Sequence, residues 1–169
     1  IVYHFAAYAA EGLSPFIRKF NYENNVIASS NLITCSIEHN IKRFVFASSM
    51  AVYGDKYEPP FDEDLLQSPI DPYGIAKYAV EMDLKIASNQ HGLNYTIVRP
   101  SALYGERCIS NRVIQIFLES AFNNKNIFIS GDGKEKLDFT YIDDLCQGIL
   151  RIIKNKKKSK NQIFNLTFG

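Results

Sequence analysis

Tyr73-Gly74-Ile75-Ala76-Lys77, with Ser48-Ser49-Met50-Ala51-Val52-Tyr53-Gly54 a short way upstream, is the stretch on which the reading of this chain turns. A tyrosine and a lysine four residues apart lie one turn from each other on the same helix face, so their side chains can share a site. An ammonium near a phenol favours the phenolate, and the spacing predicts that Lys77 lowers the pKa of Tyr73 from about 10 toward neutrality. Tyr73 would then serve as an acid/base, with the Ser49 hydroxyl hydrogen-bonded to the same substrate oxygen. The spacing is common by itself, and an exposed helix start with a surface lysine produces the same pattern.

The flanking sequence supplies the context. Phe44-Val45-Phe46-Ala47 is a short apolar run rich in β-formers and predicts a buried strand whose carboxyl end delivers Ser49. Ligands of open parallel sheets bind outside those strand ends. Pro72 suits the first turn of a helix running from about Pro72 to Gln90, with Gly92 as its stop and His91 a helix-end histidine favoured by the dipole. Tyr95-Thr96-Ile97-Val98 predicts another strand, ended by Arg99-Pro100. Upstream, Ile1 to Ala6 reads as a strand, and Phe20, Val26, Ile27, Leu32, Ile33 and Ile37 give helical spacing over about Ser14 to Asn40. Strand, helix, strand, helix, strand in this order predicts a right-handed parallel α/β sheet. Residues 55–71 read as a surface loop. Beyond Tyr104-Gly105 the expected elements are an amphipathic helix from about Asn111 to Asn123, a short strand Ile127-Phe128-Ile129, and the turn Gly131-Asp132-Gly133. A helix opened by Asp143-Asp144 and a last strand Ile163-Phe164-Asn165-Leu166 complete the chain.

Composition sets the outer limits. The 169 residues are 46% hydrophobic and 22% charged, enough for one globular core, and a net charge of +1 gives no reason to expect nucleic acid or an anionic membrane as partner. Lys154, Lys156, Lys157, Lys158 and Lys160 form one basic run, read as a solvated turn. Cys35, Cys108 and Cys146 are odd in number, far apart and outside any metal-ligand spacing. They imply a reducing compartment, a place in the core and no metal, and with no apolar run long enough for a bilayer the expected location is cytoplasmic.

Five motifs in order carry a family resemblance: His4-Phe5-Ala6-Ala7, Ser48 to Gly54, Tyr73 to Lys77, Arg99-Pro100 leading to Tyr104-Gly105, and Asp138-Phe139-Thr140-Tyr141-Ile142-Asp143-Asp144. Together they resemble the extended short-chain dehydrogenase/reductases, and within them the NAD-dependent nucleotide-sugar epimerase/dehydratase branch, UDP-glucose 4-epimerase-like. The resemblance implies a Rossmann-like parallel α/β sheet. Residues 1–100 would be the carboxyl-terminal half of the NAD-binding domain, and 101–169 a small substrate-binding region whose last part, from about 138, returns to the core. In the family a glycine-rich turn follows the first strand, and no G-x-G-x-x-G occurs here. The resemblance therefore implies that the first three strands are absent, that the chain is part of a longer protein, and that alone it folds poorly and is inactive.

The same resemblance implies a site. Tyr73, Lys77 and Ser49 would be catalytic. NAD would be met by Ala6, Ala7, Tyr8, Asn25, Ser48, Tyr73, Lys77, Arg99 and Pro100. A nucleotide sugar, taken as a UDP-sugar, would be met by Ser49, Met50, Tyr73, Ala102, Arg112 and Lys136. Relatives pair as homodimers through two long helices, here at about 14–40 and 72–90. Dehydratases of the group carry an acidic pair after the serine or threonine, and Met50 and Ala51 stand there. Neither side chain transfers a proton, which favours epimerase over dehydratase. Two departures concern the substrate: Ala102 replaces an asparagine, and Leu137 an arginine that pairs with the diphosphate. Lys136 or Lys134 is the candidate replacement, as a point charge. An NADP-dependent 4-keto-sugar reductase and a non-catalytic remnant of the same fold are the alternatives.

Overall fold

A computed structural model describes residues 1–108, 112–129, 131–134 and 136–168. Four strands, β1 (Val2–His4), β2 (Phe44–Ala47), β3 (Tyr95–Pro100) and β6 (Gln162–Leu166), form one sheet in the order β1-β2-β3-β6, with every neighbouring pair parallel. Phe44, Val45 and Phe46 of β2 and Ile97 and Val98 of β3 are buried, as near-continuous apolar strands in a covered parallel sheet require. Two further short strands, β4 (Ala102–Tyr104) and β5 (Phe139–Tyr141), pair in parallel as a separate ribbon. The fold is the expected Rossmann-like parallel α/β arrangement.

The helices pack against the sheet through a core of Ile33, Phe44, Phe46, Val80, Leu84, Leu93 and Ile97. The first helical region differs from the single helix expected over 14–40. It opens with a 3-10 turn (Glu11–Phe16), continues as α1 (Arg18–Tyr22), widens into one π turn (Glu23–Ile27) and resumes as α2 (Ala28–Glu38). The π turn carries Asn25, whose buried side chain reaches out of the helix to the backbone of Tyr8. Such an inserted turn re-aims side chains, and helical periodicity alone does not reveal it.

Helix α3 (Pro72–His91) matches its expected span. Asp71 caps it, accepting from Tyr73 N at 2.8 Å and Gly74 N at 3.0 Å. At the far end Gly92 adopts a left-handed conformation and returns its N–H to Ser88 O at 3.0 Å. Gly74 has a second reason to lack a side chain. A Cβ there would lie 2.6 Å from Ala51 O, so the helix start packs directly on the short 3-10 turn (Met50–Tyr53) that follows Ser49.

Three other expectations need correction. Ile127, Phe128 and Ile129 form no strand; they are exposed, with no pairing edge beside them among the described residues. The helix expected from Asn111 is α4 (Val113–Phe122), and Asn111 itself lies outside the described residues. The cysteines are not core residues: Cys35 and Cys146 are exposed and Cys108 is half-buried. α5 (Ile142–Lys154) begins with Asp143 and Asp144 in its first turn, and among the described residues no helix is long and apolar enough to cross a membrane. The turn after α5 is tied down by Arg43, which donates to Thr96 Oγ1 at 2.9 Å and to the Lys156 carbonyl at 2.8 Å, while the lysine side chains stay exposed.

Between α3 and β3 lies a fully buried ion pair. Arg99 donates from Nε to Glu81 Oε1 at 2.9 Å and from Nη2 to Glu81 Oε2 at 2.6 Å, and neither side chain has solvent exposure. Its Nη1 donates to the hydroxyl of Tyr53, at the end of the Met50–Tyr53 turn. Removing one partner of such a pair leaves an uncompensated buried charge. Glu81→Ala is therefore expected to destabilise the protein by about 3–5 kcal/mol, read as a lower urea midpoint, and a loss below about 1 kcal/mol would contradict this account.

Candidate active site

The carboxyl ends of β1, β2 and β3 open into a cavity of about 1200 Å³. Its wall brings together Ser49, Tyr73 and Lys77, and with them Ala7, Ser48, Met50, Pro100, Ala102, Arg112 and Lys136, so most of the residues expected from sequence share one space. Each is placed by a definite element. Ser48 and Ser49 follow the last residue of β2, and Ser49 caps the 3-10 turn by accepting from Ala51 N at 3.2 Å. Tyr73 and Lys77 lie one turn apart on α3, both buried.

Four expected contacts lie elsewhere. In the extended segment after β1, Phe5, Ala7 and Ala9 line the cavity, so the two-residue alternation turns Ala6 and Tyr8 away from it. The Tyr8 ring meets Phe20 edge-on, with centroids 4.9 Å apart. Asn25 does not reach the cavity either. It accepts from Tyr8 N at 2.9 Å and donates to Tyr8 O at 3.1 Å, which fixes the segment carrying Ala7. Arg99 is corrected from a cofactor contact to a core clamp, because Glu81 and Tyr53 occupy its guanidinium.

The electrostatics reverse one expectation. Tyr73 is pushed up to about 12, not down toward neutrality: burial opposes the phenolate more than the Ser49 hydrogen bond favours it, and Glu11 adds like-charge repulsion. Lys77 does not offset this. Its Nζ donates to the Ala47 carbonyl at 2.8 Å and sits 4.9 Å from the Phe46 ring centroid and 5.7 Å from that of Tyr73. Burial pushes Lys77 down to about 8, with Glu81 opposing.

The residues expected from sequence to meet a substrate have mixed surroundings. Arg112 donates to the Ala9 carbonyl at 3.3 Å from the cavity edge. Lys136 lines the cavity, whereas Lys134 lies outside it and pairs with Asp132 at 2.8 Å. Leu137 also lines the cavity and is largely exposed. Ser48 bears on the fit of a cofactor. Its Oγ is buried with no hydrogen-bond partner among the described residues, a polar orphan at the strand end that a ligand amide or hydroxyl would satisfy. Two structural contributors escaped sequence reasoning. Asp71 before Pro72 is an N-cap signal that was legible. Glu11 lies on the cavity wall beside Tyr73, in a short 3-10 turn with no periodicity to mark it.

The Lys77 shift has a consequence for stability. The folded-state value of about 8 lies below the ordinary lysine value of 10.5, so between these the unfolded chain binds more protons at this group. The charge cost is fully present below about pH 8 and is relieved as pH rises to 10.5. Against a Lys77→Met variant, the parent is expected to gain stability over that window by on the order of 3 kcal/mol. A stability difference between the two that does not change with pH would refute the assigned cause.

The family model described as the NAD dependent epimerase/dehydratase family matches residues 1–167. A putative UDP-glucose 4-epimerase of Methanocaldococcus jannaschii is 35% identical over 149 residues, covering 86% of this chain and 48% of the relative. The dTDP-D-glucose 4,6-dehydratase of Homo sapiens is 30% identical over 167 residues, 98% of this chain and 47% of that protein. Among solved structures, UDP-glucose 4-epimerase of Thermotoga maritima with UDP-glucose superposes with a TM-score of 0.92 at 33% identity, covering 98% of this chain and 54% of the neighbour. UDP-glucuronic acid 4-epimerase of Bacillus cereus, in complex with UDP-glucuronic acid and NAD, gives a TM-score of 0.91 at 28% identity, covering 98% and 53%. The chain spans about half the length of the relatives it matches. A family model that covers nearly every residue, on a Rossmann-like parallel sheet, makes this chain a member of the NAD-dependent epimerase/dehydratase family.

Proposed function

We propose that this chain is part of an NAD-dependent nucleotide-sugar epimerase, UDP-glucose 4-epimerase-like, that acts by transient oxidation at carbon 4 of the sugar. The observation that carries the reading is the meeting of the Ser49 and Tyr73 side chains on one cavity wall, beside Lys77 and at the carboxyl ends of the parallel strands. Met50 and Ala51 line the same wall, where a dehydratase needs an acid and a base. Neither is an acid or a base that can exchange a proton near neutral pH, which favours epimerisation over elimination of water.

In this reading Ser49 donates to or accepts from the sugar 4-hydroxyl and holds it against Tyr73. Tyr73, as the phenolate, takes the hydroxyl proton while the carbon-4 hydride leaves for the cofactor and the 4-keto sugar forms, and it returns that proton when the carbonyl is reduced on its other face. The phenol is ordinarily neutral, so proton transfer needs positive charge nearby; Lys77, protonated below about pH 8, is the chain's own source. When bound, NAD would add a positively charged ring beside the phenol and would supply the acceptor and donor for the sugar's hydride. Ser48, Tyr73, Lys77, Ala7 and Pro100 are the residues of this chain placed to hold its nicotinamide end, with the buried Ser48 hydroxyl available for its amide.

Residues 1–100 carry the cofactor side of the site, and residues 101–169 the sugar-nucleotide side, with Arg112 and Lys136 as the cations nearest a UDP diphosphate. The exposed Phe20, Ile27, Leu32, Met82 and Ile86 on the helices at 14–40 and 72–90 support a homodimer through those faces.

Tyr73→Phe removes the proton acceptor and keeps the ring. In the full-length protein it is expected to lower UDP-glucose to UDP-galactose turnover by about 10³-fold while NAD stays bound. Undiminished turnover in that variant would rule out the assignment.

A further inference from the structure

One carboxylate on the cavity wall has no part in the proton transfer just described. Glu11 opens the Glu11–Phe16 turn and, though exposed, lines the same cavity as Ser49 and Tyr73. Its place is set by the start of the catalytic helix. Fully buried Ser14 donates to the Glu11 carbonyl at 2.8 Å, lies 3.2 Å from Asp71 Oδ1 and accepts from Tyr73 N at 3.2 Å. The Glu11 backbone is thus joined through one hydroxyl to the backbone of the reacting residue. Among the surrounding charges, Glu11 acts most strongly on the Tyr73 phenol, ahead of Arg112, which opposes it, and Asp71, which reinforces it. Arg112 is meanwhile held at the Ala9 carbonyl.

The hydroxyl on carbon 4 and the substituent on carbon 5 are neighbours on a hexose ring. A sugar that presents its 4-hydroxyl to Tyr73 therefore brings its carbon 6 into the space between Tyr73 and the adjoining wall. In a hexose that carbon bears a neutral hydroxyl; in a hexuronate it bears a carboxylate. Two carboxylates facing each other where water is displaced repel strongly, whereas a hydroxyl can donate to one. Specificity of this kind comes from the repulsive element as much as from the attractive one.

Resting on the epimerase reading above, we propose that Glu11 sets the charge preference of the sugar pocket, admitting UDP-sugars with a neutral hexose ring and rejecting UDP-hexuronates. The question is specific to this chain, since it resembles solved enzymes named for each kind of sugar.

The test is calorimetric titration of the full-length, NAD-loaded protein with UDP-glucose and with UDP-glucuronate, followed by kcat/KM for each. UDP-glucuronate is expected to bind at least about tenfold more weakly, with a gap that narrows as salt is raised, and Glu11→Gln is expected to close most of it. Equal or tighter binding of UDP-glucuronate by the unmutated protein overturns the proposal without recourse to any variant. A gap that persists in a folded Glu11→Gln protein removes Glu11 as its cause. Selective binding of UDP-glucose with no turnover would uphold the pocket preference and refute the epimerase reading.

Discussion

The arrangement depends first on one buried guanidinium. Arg99 grips both carboxylate oxygens of Glu81 on α3 and the hydroxyl of Tyr53 at the end of the turn that begins after Ser49. Tyr73, Lys77 and Glu81 are spaced by four, so they form one stripe along the helix, and fixing Glu81 fixes the azimuth of the other two. Tyr53 also donates to Asn165 of β6 at 3.0 Å, which carries the network into the last strand of the sheet. Burying two charges is costly, and a bidentate pair with a further donor held by the Tyr53 hydroxyl is the geometry that offsets it. Its return here is register, because helix, turn and sheet can meet in only one way.

Burial governs the site above that network as well. It holds Tyr73 neutral and makes Lys77 a weaker base than a free lysine. These two effects oppose the helix-spacing argument, in which the ammonium was to ionise the phenol. A desolvated pair behaves differently from a charged pair in water, since neither ion has enough counter-charge to replace its hydration.

The sequence was informative where a residue's role follows from spacing or from a strand end. The apolar run before Ser48 and the four-residue step from Tyr73 to Lys77 both led to the cavity, and Pro72 and Gly92 marked the ends of α3. It was silent where the role depends on an inserted turn or on a distant partner. The π turn at Glu23–Ile27 leaves no trace in apolar periodicity, yet it aims Asn25 at Tyr8 and not at the cavity. Arg99 ends a β-rich run next to proline, which suggests a strand terminus, and only the position of Glu81 eighteen residues earlier shows it to be interior. Ile127-Phe128-Ile129 has strand composition but no neighbouring edge among the described residues, and composition does not supply one.

The central claim is that the sugar's own hydride leaves carbon 4 and comes back to it. The most direct measurement is to give the full-length, NAD-loaded protein UDP-glucose deuterated at carbon 4 and to follow the label in the galactose product by NMR. The account predicts that deuterium is retained at carbon 4 of the epimer, with no NADH accumulating in solution. Exchange of that deuterium with solvent, or steady release of NADH, would contradict it.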